Sequence, residues 1–125
     1  MGRVLIVDDH EDIRRMFARA VKACGHEALT APDGEEGIAT ATEQRPALVI
    51  LDLMMPGITG FDVLRSLRAD PRTRDGAVVI FSALNDPEFV EQALSLGADD
   101  YWVKGTFSME TLEQWLTYYL VDGKR

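Results

Sequence analysis

The sequence is poor in thiol. Cys24 is the single cysteine among 125 residues, so no disulfide can form within the chain. A lone thiol suits a reducing compartment, and the cytoplasm is the expected location. Histidine is nearly as scarce: His10 and His26 have no second histidine at ligand-pair spacing, so both are expected to face solvent rather than a metal. No apolar run is long enough to span a membrane. The N-terminal apolar run is too short for a secretory leader and ends in acids. Bases are outnumbered, giving a net charge of −8. Arg14, Arg15, Arg65, Arg68, Arg72 and Arg74 are interspersed with acids, so there is no basic face. Neither direct nucleic-acid binding nor membrane association is expected.

Repeats, low-complexity tracts and linkers are also missing. With 46% hydrophobic residues, the chain has enough apolar surface for one core, and a single domain over 1–125 is expected. No helix-turn-helix or enzyme domain follows the last helical segment. The chain is therefore expected to be a stand-alone domain or a piece excised from a larger protein.

Within that length, strand and helix patterns alternate five times. Strands are expected at about 3–7, 27–31, 47–52, 77–82 and 99–103. The third and fourth are nearly continuous apolar runs, as in strands covered on both faces. Ile13, Met16, Phe17, Ala20, Val21 and Cys24 repeat at the spacing of one helix face, and Gly25 follows as a C-terminal stop. Asp33 with Glu36, and Thr59 with Asp62, have capping-box spacing. Asp86-Pro87 supplies an N-cap and a first-turn proline, Gly97 closes that helix, and Ser108 caps the last. Five βα units predict a doubly wound, flavodoxin-like α/β fold with one five-stranded parallel sheet and five helices. The order 2-1-3-4-5 fits the length and puts the switch point between strands one and three.

Those two strands end in acids. Asp8 and Asp9 follow Val4-Leu5-Ile6-Val7, and Asp52 follows Ala47-Leu48-Val49-Ile50-Leu51. Ligands of open parallel sheets bind at the carboxyl ends of strands near a switch point. Three carboxylates gathered there require a cation. Hard oxygen ligands favour Mg²⁺, which takes one or two carboxylates and leaves room for a phosphate oxygen. A carboxylate can also accept a phosphoryl group as an acyl phosphate. Lys104, which ends Asp100-Tyr101-Trp102-Val103, and Ser82, which ends Val78-Val79-Ile80-Phe81, stand where they can neutralise and hydrogen-bond that group.

These residues resemble the receiver domain of two-component response regulators over nearly the whole chain. The likeness is carried by VDDH at 7–10, LDLMMPGITGFD at 51–62, FSA at 81–83 and GADDYWVK at 97–104. It implies that Asp52 is the phosphoacceptor and that Asp9 ligates Mg²⁺ directly and Asp8 through water. The backbone carbonyl of Met54 would complete the protein ligands. Ser82 would bind the transferred phosphoryl group and Lys104 would pair with it. Tyr101 occupies the aromatic switch position, although as a strand aromatic it reads equally as fixed core. The donor implied is a phosphohistidine on a sensor kinase or phosphotransfer protein. The output implied is an altered surface of the fourth helix, fifth strand and fifth helix, controlling a target protein or a homodimer. No metabolic enzyme activity is implied.

Two features depart from that pattern. Lys104-Gly105-Thr106-Phe107 stands where the family usually has lysine followed by proline, so the cis bond before that proline is lost and the loop is one residue longer. Gly105 is free to take backbone angles that compensate. Met54 and Leu84, two residues beyond Asp52 and Ser82, have side chains unable to orient an attacking water, which implies slow loss of phosphate. Two other readings remain beside this one. A haloacid-dehalogenase-type phosphatase would need a second acid where Met54 stands. A pseudo-receiver would lack phosphorylation because of the altered loop. Trp115, Tyr118 and Tyr119 read as core, or as an aromatic docking patch.

Overall fold

The structure is a computed structural model that describes residues 2–106 and 108–123. The expected cap interactions set most element boundaries. Strand β1 (Arg3–Val7) leads to helix α1 (Glu11–Ala23), and β2 (Glu27–Ala31) to α2 (Gly34–Gln44). Next come β3 (Leu48–Leu51) with α3 (Gly60–Ala69), β4 (Ala77–Ser82) with α4 (Pro87–Ser95), and β5 (Asp100–Val103) with α5 (Met109–Leu116). The Asp33 side chain accepts the Glu36 N–H at 2.9 Å, and Thr59 and Asp62 form a reciprocal capping box. Asp86 and Ser108 cap α4 and α5 with their side chains. Strands β3 and β5 end inside the expected bounds, although Ala47, Asp52 and Asp99 still make ladder hydrogen bonds just beyond them.

Two local features were not expected. Helix α2 ends at Arg45 in the left-handed region (φ 47°) rather than at a glycine, just before Pro46. Helix α5 widens into a π-helical turn at Thr117–Val121, closed by the Asp122 N–H on the Thr117 carbonyl at 2.9 Å. Of the aromatics expected there, Trp115 and Tyr119 are buried, whereas Tyr118 is exposed.

The five strands are parallel in the order β2-β1-β3-β4-β5. Alternation along each strand divides the core into two layers. Val4, Ile6, Ile50, Val79, Phe81 and Trp102 pack with α1 and α5, around Phe17, Leu112 and Trp115. Leu5, Val7, Val49, Leu51, Val78 and Ile80 pack with α2, α3 and α4. Trp102 takes the side expected of it, edge-to-face on Phe81 and Trp115 at 5.6 and 4.4 Å. Phe17, fully buried and edge-on to Phe81 at 4.9 Å, contributes roughly 3 kcal/mol by burial.

The far end of the sheet is closed by a guanidinium clamp. Arg68 on α3 donates to the carbonyls of Gly76 and Gly97 and pairs with Asp99 at 3.0 Å. Asp99 also accepts the Val78 N–H, which ties the α4–β5 turn to the start of β4. No helix among the described residues is long and apolar enough to cross a membrane.

Candidate functional site

Strands β1 and β3 are hydrogen-bonded neighbours with Val7 opposite Leu51, so Asp8 and Asp52 leave the sheet side by side. The ladder continues past both strands: the Asp52 N–H donates to Val7 and the Asp8 N–H to Ala31. Both carboxylates are almost fully buried, at 2% and 3% exposure. Asp9 is partly exposed and stands over them. Helix α1 begins directly behind. Its N-cap is His10, whose N–H donates to Asp8 Oδ1 at 2.9 Å, and Arg14 holds the Asp8 carbonyl at 2.8 Å.

The opposite wall comes from β4 and β5, where Ser82 pairs with Val103 and the Lys104 N–H donates to the Ser82 carbonyl at 2.7 Å. Lys104 then reaches across the sheet end. Its Nζ lies 3.1 Å from Asp8 Oδ2 and 3.4 Å from Asp52 Oδ2, with the Phe81 ring 5.7 Å away. The Met54 N–H donates to Asp52 Oδ1 at 3.3 Å while the Met54 side chain is exposed. Burial pushes the Asp52 carboxyl above the ordinary aspartate range, and the neighbouring Asp8 charge adds to this; Lys104 and the Met54 N–H oppose it without cancelling it.

Ser82 is fully buried at the end of β4, and its Oγ accepts the Leu84 N–H at 3.2 Å. The Tyr101 hydroxyl donates to the Leu84 carbonyl at 2.6 Å. Burial raises the Tyr101 phenol above its usual value. Ser82, Leu84 and Tyr101 thus form one chain of contacts from the acid cluster to the edge strand.

The residues present fit a hard divalent cation. Oxygens of Asp8, Asp9 and Asp52, with a His10 ring nitrogen, lie within 4.8 Å of one another. Asp9 Oδ1 is buried without a hydrogen-bond donor; His10 Nδ1 is 3.2 Å away but outside hydrogen-bond geometry. A buried carboxylate oxygen left in this state is costly unless a cation meets it. Carboxylate donors in this number suit Mg²⁺, which keeps several waters.

His10 corrects the sequence reading in part. Its side chain is 62% exposed, as expected, yet Nδ1 sits 3.0 Å from Asp8 Oδ1. Arg14 was not foreseen at all. It bonds a backbone carbonyl, and no residue spacing signals such a contact.

The lengthened loop after Lys104 is closed by its own hydrogen bonds. Gly105 takes φ +97°, and the Thr106 N–H and hydroxyl both donate to the Val103 carbonyl, at 3.3 and 2.6 Å. The Trp102 indole N–H donates to the Thr106 carbonyl at 3.1 Å. All peptide bonds among the described residues are trans. Phe107 lies outside the described residues.

Comparison with known proteins gives the family and the fold of the chain. Residues 4–117 match the family model of the response regulator receiver domain. The chain is 40% identical over 104 residues to the transcriptional regulatory protein AfsQ1 of Streptomyces coelicolor, covering 83% of this chain and 45% of that protein. It is 38% identical over 112 residues to the gliding motility regulatory protein of Myxococcus xanthus, covering 90% of this chain and 14% of that protein. The chain thus spans less than half the length of these relatives. Among solved structures it is similar to the Vibrio cholerae chemotaxis protein CheY4. That match has a TM-score of 0.88 at 32% identity and covers 96% of this chain and 99% of the other. The BeF3-activated receiver domain of DrrB is similar with a TM-score of 0.85 at 26% identity, covering 97% and 98%.

Proposed function

The chain belongs to the response regulator receiver domain family of two-component signalling, and from that premise we propose that Asp52 accepts a phosphoryl group from a phosphohistidine of a sensor kinase or phosphotransfer protein. One observation carries the reading. Buried Asp52 sits beside Asp8 with Lys104 bridging the two, while Asp9 holds an oxygen that no donor meets.

In the transfer, an Asp52 carboxylate oxygen attacks phosphorus. The phosphorus–nitrogen bond to the donor imidazole breaks, its electron pair stays on the ring nitrogen, and that nitrogen takes up a proton. The product is a mixed anhydride on Asp52. Burial makes Asp52 more basic and hence a better nucleophile once ionised. Mg²⁺, held by Asp8, Asp9, Asp52 and the Met54 carbonyl, would neutralise charge on the phosphoryl oxygens. Lys104 exchanges its contact with Asp52 for one of those oxygens, and the Ser82 hydroxyl donates to another.

Drawing Ser82 toward phosphate disturbs the Leu84 N–H, and through it the Tyr101 contact. The proposed output is a change in the surface made by α4, β5 and α5, read by a target protein in the cytoplasm or by a homodimer, without direct nucleic-acid contact by this domain. Lys104 reaches the acids despite the longer loop, and this favours a phosphorylatable receiver over a pseudo-receiver.

The test is intact-mass spectrometry after incubation with Mg²⁺ and acetyl phosphate. A single phosphoryl adduct is expected on the wild type, absent without Mg²⁺ and absent from Asp52→Asn. No adduct on a folded, Mg²⁺-binding wild type would overturn the reading of Asp52 as a self-sufficient phosphoacceptor. The side chains of exposed Met54 and half-buried Leu84 cannot hold an attacking water, so the adduct is expected to persist. Loss of label within seconds in the purified protein would count against this.

A further inference from the structure

Two nitrogens of one histidine close on the acid cluster. His10 stands in extended backbone (φ −91°, ψ 115°) where the chain turns from β1 into α1. Its N–H donates to Asp8 Oδ1 at 2.9 Å, and its ring Nδ1 lies 3.0 Å from the same oxygen. Nδ1 also lies 3.2 Å from Asp9 Oδ1, outside hydrogen-bond geometry. One ring nitrogen thus faces carboxylate oxygens of two consecutive residues. A single Nδ1 proton serves only one of them, and Asp9 Oδ1 is left buried with no donor among the described residues.

The spacing of these atoms is that of ligands sharing one small ion. Ligand atoms about 2.1 Å from a common ion stand roughly 3.0 Å apart at adjacent octahedral corners and roughly 3.4 Å apart at tetrahedral ones. Both separations from Nδ1, 3.0 and 3.2 Å, fall in that interval. Lys104 takes Asp8 through Oδ2, which leaves Oδ1 to the His10 side. Arg14 is engaged with the Asp8 carbonyl rather than its carboxylate. The imidazole is 62% exposed, so the ring can keep its proton on Nε2 while Nδ1 offers its lone pair. Asp52 completes a set of four residues whose ligand atoms lie within 4.8 Å of one another.

We infer that His10 supplies a nitrogen ligand at the acid cluster and gives that site a preference for borderline divalent ions, of which Zn²⁺ is the type, beyond what its carboxylates alone provide. This deepens the receiver reading and rests on it only for the cluster being a metal site. Carboxylate oxygens suit hard Mg²⁺, whereas an imidazole adds a donor that zinc, nickel and copper accept and Mg²⁺ does not favour. A ring that merely orients Asp8 acts differently: it aids every ion that Asp8 binds, Mg²⁺ and Zn²⁺ alike. The contact to Asp9 separates the two roles, since an orienting hydrogen bond to Asp8 gives Nδ1 no reason to stand 3.2 Å from a second carboxylate oxygen that it does not hydrogen-bond.

The probes are Zn²⁺ and Mg²⁺ alone, titrated by calorimetry into the full chain at one neutral pH, in wild type, His10→Ala and His26→Gln. Expected is a Zn²⁺ site from which excess Mg²⁺ displaces the ion. His10→Ala should weaken Zn²⁺ at least about tenfold, the lower end of what losing even an indirect metal partner costs. The same variant should change Mg²⁺ affinity by no more than about twofold, because the carboxylates are intact. His26→Gln should alter neither. Long-range ¹H–¹⁵N spectra of the wild-type imidazoles give a readout that does not depend on any variant folding. Zn²⁺ should shift His10 Nδ1 and leave the ring proton on Nε2, whereas Mg²⁺ should leave the Nδ1 resonance in place. Equal losses for the two ions in His10→Ala would make the ring an orienting partner of Asp8 and overturn the inference. So would Zn²⁺ that Mg²⁺ fails to displace, or that moves only the His26 ring. The mass adduct at Asp52 with Mg²⁺ tests the receiver reading separately. It can form without any preference for Zn²⁺, and Zn²⁺ can bind through His10 in a chain that takes no phosphoryl group.

Discussion

The Tyr101 hydroxyl donates a 2.6 Å hydrogen bond to the Leu84 carbonyl. Leu84 in turn donates its N–H to Ser82, so this contact helps to join the edge strand to the loop that leaves the end of β4. Tyr101→Phe removes the hydroxyl and keeps the ring. The expected cost is about 1 kcal/mol, the usual net worth of one such bond, or about 3–6 °C in Tm. Hydrogen exchange at the Leu84 amide should quicken as its loop loosens. An unchanged Tm and unchanged exchange would show that the ring alone holds the loop.

Asp9 Oδ1, buried without a donor, predicts a specific response to Mg²⁺. Ligand binding to the folded state alone stabilises by about 1.4 kcal/mol at ten times Kd. Wild type should therefore gain several degrees in Tm with Mg²⁺, and chelation should remove the gain. Asp9→Asn should require at least about tenfold more Mg²⁺ for the same shift, since a ligand charge is lost. Equal Mg²⁺ responses in the two proteins would remove Asp9 from the metal site.

Much of this was legible in the sequence because it depends on period and punctuation. Alternating apolar runs separated by capped helices define the layers, and the switch point places Asp8, Asp9 and Asp52 together with no side-chain detail needed. Long-range polar contacts were illegible for the opposite reason. Arg14 bonds the Asp8 carbonyl, Arg68 bonds two glycine carbonyls, and Trp102 bonds the Thr106 carbonyl. Backbone acceptors exist at every residue, so nothing in the side-chain pattern marks which one is used. The π-helical turn at Thr117–Val121 was hidden too, because Leu116, Tyr119 and Leu120 fit an unbroken helix face equally well.

His26 gives the fold a pH dependence of its own. Its Nδ1 accepts the Gly2 N–H at 3.0 Å, and burial lowers its pKa below the ordinary 6.5. The unfolded chain then binds a proton near pH 6.5 while the folded chain resists it. The stabilisation is complete above pH 6.5 and is lost as pH falls through the lowered value. Thermal unfolding from pH 8 to pH 5 should show this decline in wild type and a smaller one in His26→Gln. Parallel curves for the two proteins would assign the pH dependence to other groups.

Two glycines near the site separate backbone strain from close packing. Gly105 takes φ +97° with open space where a Cβ would point, so Gly105→Ala meets only the left-handed penalty, about 1 kcal/mol. Gly60 opens α3 with its N–H on the Leu53 carbonyl, and a Cβ there would fall on the Asp52 carbonyl and the Leu53 Cα. Gly60→Ala must therefore push α3 away from the end of β3 or shift Asp52 itself. The expected cost is about 3 kcal/mol, at the upper end for overpacking. Displacing the phosphoacceptor against Lys104 should also slow adduct formation with acetyl phosphate at least about tenfold, because reacting groups tolerate little misplacement. Gly105→Ala, further from Asp52, should slow it far less. Thermal unfolding and initial rates of adduct formation give both quantities on the same samples. If Gly60→Ala destabilises the fold yet leaves the rate unchanged, the close approach of α3 supports the sheet and does not position Asp52.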